Sequence, residues 1–314
     1  MTEADRKISA EERAKGRSEK PAATSFDPAC LRFSEMLAYG LGSSGRSWLD
    51  AVRRGEDREE NGLVERAAAR VSERDLRRQR NIEAIFSLAM TLLKDDADAD
   101  GHVDPDWSVR FIEAASDCGD RAGQEMWAAL LALEAEESGA VPPVTFRVLS
   151  TLNRNMIRWV AILAKFRINN FLVRLSDEFF GERELTGDCI LMLEEYGLLR
   201  TNRDLSKVFS SQKADRFSTN LLYADKVVRV SHEDPAADLT LPCYRLSEAG
   251  TALARAAGRL SRVEADLDYL LEIVKLVEAQ GYTVAQADIL SRRSDTIVSK
   301  HSPFCELRTL NLKR

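Results

Sequence analysis

The residues best suited to chemistry in this 314-residue chain begin with Asp96-Ala97-Asp98-Ala99-Asp100-Gly101-His102-Val103-Asp104, which follows the first nine positions of a calcium loop. Side-chain oxygens at positions 1, 3 and 5, a glycine at 6 and an apolar residue at 8 are all present. Position 12 is Trp107, where a bidentate Glu belongs, so the stretch reads either as an acidic solvated loop or as a weak calcium site. Gly40-Leu41-Gly42-Ser43-Ser44-Gly45 fits G-x-G-x-x-G, which cradles a pyrophosphate only between a strand and a helix. The residues before it look helical, so a flexible hinge is expected. His102, His232 and His301 are isolated, and the five cysteines, Cys30, Cys118, Cys189, Cys243 and Cys305, include no C-x-x-C pair. That spacing argues against a zinc knuckle and against a disulfide framework. No nucleophile sits at a base's spacing, so no catalytic residue, cofactor site or metal site is assigned, and the expectation is a protein that is not an enzyme.

Charge offers another kind of site. Asn153 to Arg174 carries Arg154, Arg158, Lys165, Arg167 and Arg174 and no acid. On a helix, Arg154, Arg158 and Lys165 share one face, opposite Ile157, Val160, Leu163, Ala164 and Phe171. This basic face either salt-bridges the acidic stretch Glu134-Ala135-Glu136-Glu137 or offers a surface to a phosphate or an acidic partner. Glu134 itself ends a stripe of Trp127, Leu130 and Leu131 at helical spacing. A carboxylate there is costly unless paired. It is expected either to pair with Arg147 or Arg154 from the next helix, or to sit at the boundary of the core. Trp127, Glu134 and Arg147 are thus structural candidates.

These residues need helices to hold them. The spacing predicts a long helix over 63–93 with Ile82, Ile85, Phe86, Ala89 and Leu92 inside, and another over 105–116 capped by Asp104 and opened by Pro105. It predicts two more at 124–138 and from Thr145, with Gly139 between them. Residues 185–196 read as a short helix, 226–230 as a strand joined through a loop to a second strand ending at Tyr244, and Ser247 as the cap of a further helix. Residues 260–286 read as helical and the tail from Ser291 as polar. The expected fold is mainly α: a helical layer followed by a winged-helix-like α+β module with a short β-hairpin. The expected division is a flexible region (1–62), a helical domain (63–175), the winged-helix-like module (176–260) and a C-terminal helix and tail (261–314).

Winged helices often read DNA, and charge tests this one. Asp177 to Asp204 holds eight acids against Arg183, Arg200 and Arg203, and the loop 232–238 adds Glu233, Asp234 and Asp238 without a Lys or Arg. A DNA-docked wing must neutralise phosphates, so nucleic acid is disfavoured and a protein partner favoured. The net charge of −6 points the same way. The 44% hydrophobic content includes no run long enough for a membrane helix, and the charged N-terminus lacks an apolar leader, which places the chain in the cytoplasm. The stripe Leu267, Leu270, Leu271, Val274 and Val277 could pair with a second subunit.

The order of motifs resembles a bacterial family related to the Abi-alpha (abortive infection) proteins. The resemblance is carried by R-Q-R-N-I-E-A-I-F-S-L-A from Arg78, D-P-D-W-S-V-R-F from Asp104 and Q-E-M-W-A-A-L-L-A-L-E from Gln124. It continues with F-R-V-L-S-T-L from Phe146, L-E-E-Y-G-L-L from Leu193 and Y-R-L-S-E-A-G-T-A-L from Tyr244. Leu133 stands where that family usually has glycine, Ser247 where it has Thr, and 203–220 reads as a polar insert. The resemblance implies a helical protein tied to phage defence or stress response and brings no catalytic residues. The resulting expectation is a non-enzymatic cytoplasmic interaction protein that binds a protein partner, the alternative being a winged-helix DNA-binding regulator.

Overall fold

The computed structural model describes residues 36, 41–54, 61–93, 104–211, 214–261, 264–293, 295 and 297–307. Of the described residues about 52% are helical and 20% are strand, in ten helices and two antiparallel sheets, so the fold is α+β and the mainly α expectation is corrected. Two compact units divide it, Met1–Leu76 and Arg77–Arg314. In the first unit, α1 (Ser43–Arg53) starts inside the glycine-rich stretch. Gly42 takes φ +67°, and the backbone N–H and Oγ–H of Ser43 both donate to the Glu73 carboxylate. α2 (Asn61–Leu92) includes the unit boundary.

In the second unit the expected helical hairpins form. α3 (Pro105–Ala115) opens where Asp104 accepts from the N–H groups of Asp106 and Trp107 at 2.9 and 3.3 Å, and Pro105 fills a position that needs no N–H. The calcium-loop expectation rests on Asp96–Val103, outside the described residues. α4 (Arg121–Glu136), α5 (Val144–Thr151) and α6 (Arg154–Ala164) follow. Their core is aromatic: Trp107 stacks on Phe111 at 5.1 Å, and Trp127 and Phe146 meet Phe111 edge-on at 5.4 and 5.6 Å. The Trp107 Nε1–H donates to the Val141 carbonyl at 2.8 Å, so the buried indole is satisfied. On α2, Ile85 and Ala89 are buried as expected, whereas Phe86 is 41% exposed.

The rest departs from the expectation. The basic helix stops at Ala164, and β1 (Phe171–Val173) follows within the stretch read as one helix. After α7 (Asp177–Gly181) and α8 (Gly187–Glu195) come β2 (Leu199–Arg200), β3 (Ser206–Phe209) and β4 (Phe217–Tyr223), so the polar insert holds two strands. β5 (Lys226–His232) and β6 (Leu239–Leu246) exist but do not pair. β6 joins β1 on one edge and β2 on the other, with β3 also on β6, while β5 lies between β4 and β7 (Thr283–Arg292) in a second sheet completed by β8 (Val298–His301) and β9 (Cys305–Leu307). The expected hairpin is therefore replaced by two sheets. Each of its strands buries its apolar side in a different sheet: Val227, Val228 and Val230 in one, and Leu239, Leu241 and Cys243 in the other. Residues 260–286 likewise split into α9 (Glu248–Leu260), α10 (Leu267–Glu278) and the start of β7.

α9 packs against α4, α5 and α6, tying the strand-rich part to the helical layer. Its Ser247 cap accepts from the Gly250 N–H at 2.9 Å, as the sequence predicts. Gly250 is required by a close approach, because a Cβ there would lie 2.1 Å from the Leu198 carbonyl oxygen. That carbonyl is held in turn by the end of α8, where Gly197 at φ +75° lets the Leu198 N–H return to the Leu193 carbonyl at 2.8 Å.

Candidate functional site

The joint between α5, α8, β2, β6 and the start of α9 leaves an open groove of about 1080 Å³. Each element presents one guanidinium or a polar end to it. α5 contributes Arg147, β2 contributes Arg200, and β6 contributes Arg245. Arg200 and Arg245 are register partners on neighbouring antiparallel strands, so two like charges stand directly opposite each other. Such a pair destabilises a sheet unless an anion lies between or above it. All three arginines are exposed, and none of their guanidinium groups has a hydrogen-bond or ion-pair partner among the described residues. Glu195 and Glu248 also line the groove without pairing to them. Pro142, Val144, Val148 and Ala252 supply an apolar side. The arrangement can hold an extended segment carrying carboxylates beside small apolar groups.

The basic face expected on α6 is largely neutralised. Arg154 pairs with Asp120 at 2.7 Å and Arg158 with Glu184 at 2.6 Å, while the exposed Lys165 has no ion-pair partner among the described residues. The Arg154 guanidinium, with the Gly123 N–H, holds the Asp120 carboxyl below its usual range. Neither partner belongs to the acidic stretch proposed for them: Glu136 pairs with Arg259, and Glu137 with Arg255 at 2.7 Å. Glu134 takes neither Arg147 nor Arg154. Its carboxylate accepts the Gly139 and Val141 N–H groups at 2.7 and 2.8 Å, closing the turn after α4. Trp127 is in the core, 1% exposed, and Arg147 is in the groove. Arg200 and Arg245 escaped sequence reasoning. Arg245 sits inside the Y-R-L-S-E-A-G motif, and its signal was a charge at the exposed position of an otherwise apolar strand end.

The described histidines serve local structure. The His232 ring lies 4.9 Å from Tyr282 and accepts the Asp234 N–H at 3.1 Å, and His301 lies 4.7 Å from Phe304. Cys118, Cys189, Cys243 and Cys305 are free thiols, and burial pushes the Cys118 and Cys243 thiols up, away from reactivity. Among the described residues no group of three or more His, Cys, Asp or Glu side chains is placed to hold a metal ion, and no helix is long and apolar enough to cross a membrane.

The family described as "Protein of unknown function (DUF2806)" matches residues 65–271, about two thirds of the chain. The chain belongs to the DUF2806 family. Comparison with curated proteins gives no match, and neither does comparison with solved structures. The DUF2806 region runs from α2 into the first turn of α10 and contains every residue of the groove.

Proposed function

We propose that this chain is a non-enzymatic cytoplasmic binding protein whose groove receives an acidic segment of a partner protein. The observation that carries the reading is the set Arg147, Arg200 and Arg245: guanidinium groups from separate elements, unpaired among the described residues, facing one groove with an apolar side. Guanidinium groups keep their charge at any physiological pH, and a carboxylate that reaches two of them gains forked hydrogen bonds. The groove in free protein carries like charges in opposition, so an acidic occupant removes a repulsion as well as adding contacts. Acidic α8, with Asp188, Glu194 and Glu195, and the separation of β5 from β6 both weigh against a DNA-reading wing. A role in phage defence is the part of the proposal resting on the motif resemblance alone, and phage challenge of a deletion strain tests it.

The binding test is fluorescence anisotropy of the full chain with a labelled amphipathic peptide rich in Asp and Glu, beside a labelled random DNA duplex, across a salt series. Peptide binding is expected, lost in Arg200→Glu with Arg245→Glu and kept in Arg154→Glu with Arg158→Glu. Tighter binding of duplex, or equal loss in both double variants, would overturn the reading.

A further inference from the structure

Along the C-terminal half of α9 a second cavity of about 510 Å³ is lined by Arg167, Arg255, Arg259, Arg292 and Arg293. Three carboxylates answer three of these cations. Arg259 pairs with Glu136, Arg255 with Glu137 at 2.7 Å, and Arg167 holds Asp295 in a two-pronged bond at 2.7 and 2.9 Å. Arg255 also approaches Asp295 at 3.7 Å. The remaining acid, Asp225, turns to Lys226 at 3.3 Å and accepts the Ala265 N–H. Among the described residues Arg292 donates only to the carbonyl oxygens of Ala224 and Asp295, and Arg293 has no side-chain partner. Two guanidinium groups therefore face the cavity with no carboxylate in ion-pairing reach among the described residues.

A purely structural network would balance its charges, because a guanidinium taken out of water is costly unless paired. Arg292 is in that position, and burial pushes its pKa down. The five arginines lining the cavity outnumber its four carboxylates by one, and by two once Asp295 gives way, which matches a doubly charged phosphoryl group whose oxygens suit the arginine fork. Ala164, Ala224, Ala254 and Gly258 line the same cavity and leave room behind the cations for the body of a small molecule, and the volume falls within the usual range of small-ligand sites, about 300–1,000 Å³. Asp295, half wrapped by Arg167 and Arg255, stands where an anion would stand. It also borders a third cavity of about 670 Å³ lined by Asn169, Asn170 and His301.

We propose that the arginine cavity between α9 and β7 binds a phosphoryl-bearing small molecule, and that the Asp295 carboxylate is the internal competitor for part of that site. The proposal uses none of the groove arginines, so it stands or falls separately from the acidic-segment reading.

Isothermal titration of the full chain with pyrophosphate, ATP and, as an ionic control, sodium sulfate at matched ionic strength tests it. Saturable binding of pyrophosphate or ATP beyond sulfate is expected. Asp295→Asn removes the competing charge and is expected to tighten binding about tenfold or more. Arg292→Ala with Arg293→Ala is expected to abolish it, while Arg200→Glu with Arg245→Glu leaves it intact. Equal affinity for pyrophosphate and ATP assigns recognition to the phosphoryl group alone, and tighter ATP binding adds the body of the nucleotide; both support the site. Arg293→Ala alone guards against misfolding, because this side chain is exposed and makes no ion pair among the described residues, and it is expected to weaken binding. No binding to wild type, a response equal to sulfate, or binding unchanged in the Arg293→Ala protein would overturn the proposal.

Discussion

Gly250→Ala tests the joint on which the groove is built. An alanine Cβ at this position would lie 2.1 Å from the Leu198 carbonyl oxygen, 3.0 Å from its carbon and 3.3 Å from its Cα. Carbon atoms normally pack at about 3.5–4.0 Å, so α9 and the end of α8 must separate by more than an ångström. Neither side yields easily. The Leu198 oxygen accepts the Ser247 N–H at 3.0 Å, and the Leu198 N–H is tied to Leu193 at 2.8 Å. Forcing a methyl into such a contact costs about 1–3 kcal/mol, and the lost Ser247 bond adds about 1 kcal/mol. Alanine's better helix propensity returns about 1 kcal/mol. The net loss of about 1–3 kcal/mol lowers Tm by about 2–4 °C for each kcal/mol in a unit of this size. Thermal unfolding followed by circular dichroism reads it directly. Gly187→Ala is the control: it opens α8, its Cβ meets nothing within 4 Å, and its φ is negative, so Tm should hold or rise. A Gly250→Ala protein that melts within about 1 °C of wild type would refute the close-approach argument.

Glu134→Gln leaves one carbonyl oxygen for two N–H donors and turns an amide toward one of them, so guanidinium unfolding should show a loss of about 1–3 kcal/mol, and an unchanged midpoint would mean the Gly139 turn holds without it. Arg158→Ala should cost less than about 0.5 kcal/mol, since both members of its pair are 65% exposed. Arg183→Ala should cost several times more, because Arg183 is 19% exposed, lies 3.8 Å from the Phe179 ring centre and binds both Asp266 and Asp268 at 2.9 Å; equal losses in the two proteins would contradict the ranking. Stability should also fall in acid. Burial works to raise the Asp295 and Asp266 carboxyls, but their arginine partners, with the Tyr269 N–H at Asp266, bring both below the usual range. A carboxyl depressed in the folded state stabilises fully above its unfolded pKa, about 4, and that contribution drains away as pH falls through the folded value. Denaturant midpoints should thus be level near neutrality and drop below about pH 4, and Asp266→Asn, which keeps a capping oxygen, should shallow the drop.

Short-range periodicity and capping chemistry made the helical part of the sequence readable. Asp104-Pro105, Asn153, Ser247 and Gly139 mark helix ends through bonds made within a few residues, and the Trp127 stripe has one good solution, burial. The sheets were a different matter. β4 runs through Ser218 and Asn220, and β7 through Ala285, Gln286 and Asp288, residues with little strand preference of their own. β5 lies between them: β4 reaches it through a tight turn, but the pairing with β7 joins residues about 50–60 apart in the chain, which no local pattern records. The same limit applied to the charges. Arg154 and Arg158 share a helix face as their spacing requires, yet Asp120 and Glu184, brought in by other elements, neutralise both. Arg147 was expected as a partner for Glu134, Arg200 and Arg245 looked ordinary in sequence, and the three line one groove only because α5, β2 and β6 meet there. Residue type and spacing determined where the capped helices of the first layer begin and that the Trp127 stripe is buried; tertiary packing decided which segments became strands and which charges are left without a partner, because that depends on what the rest of the chain delivers to within 4 Å.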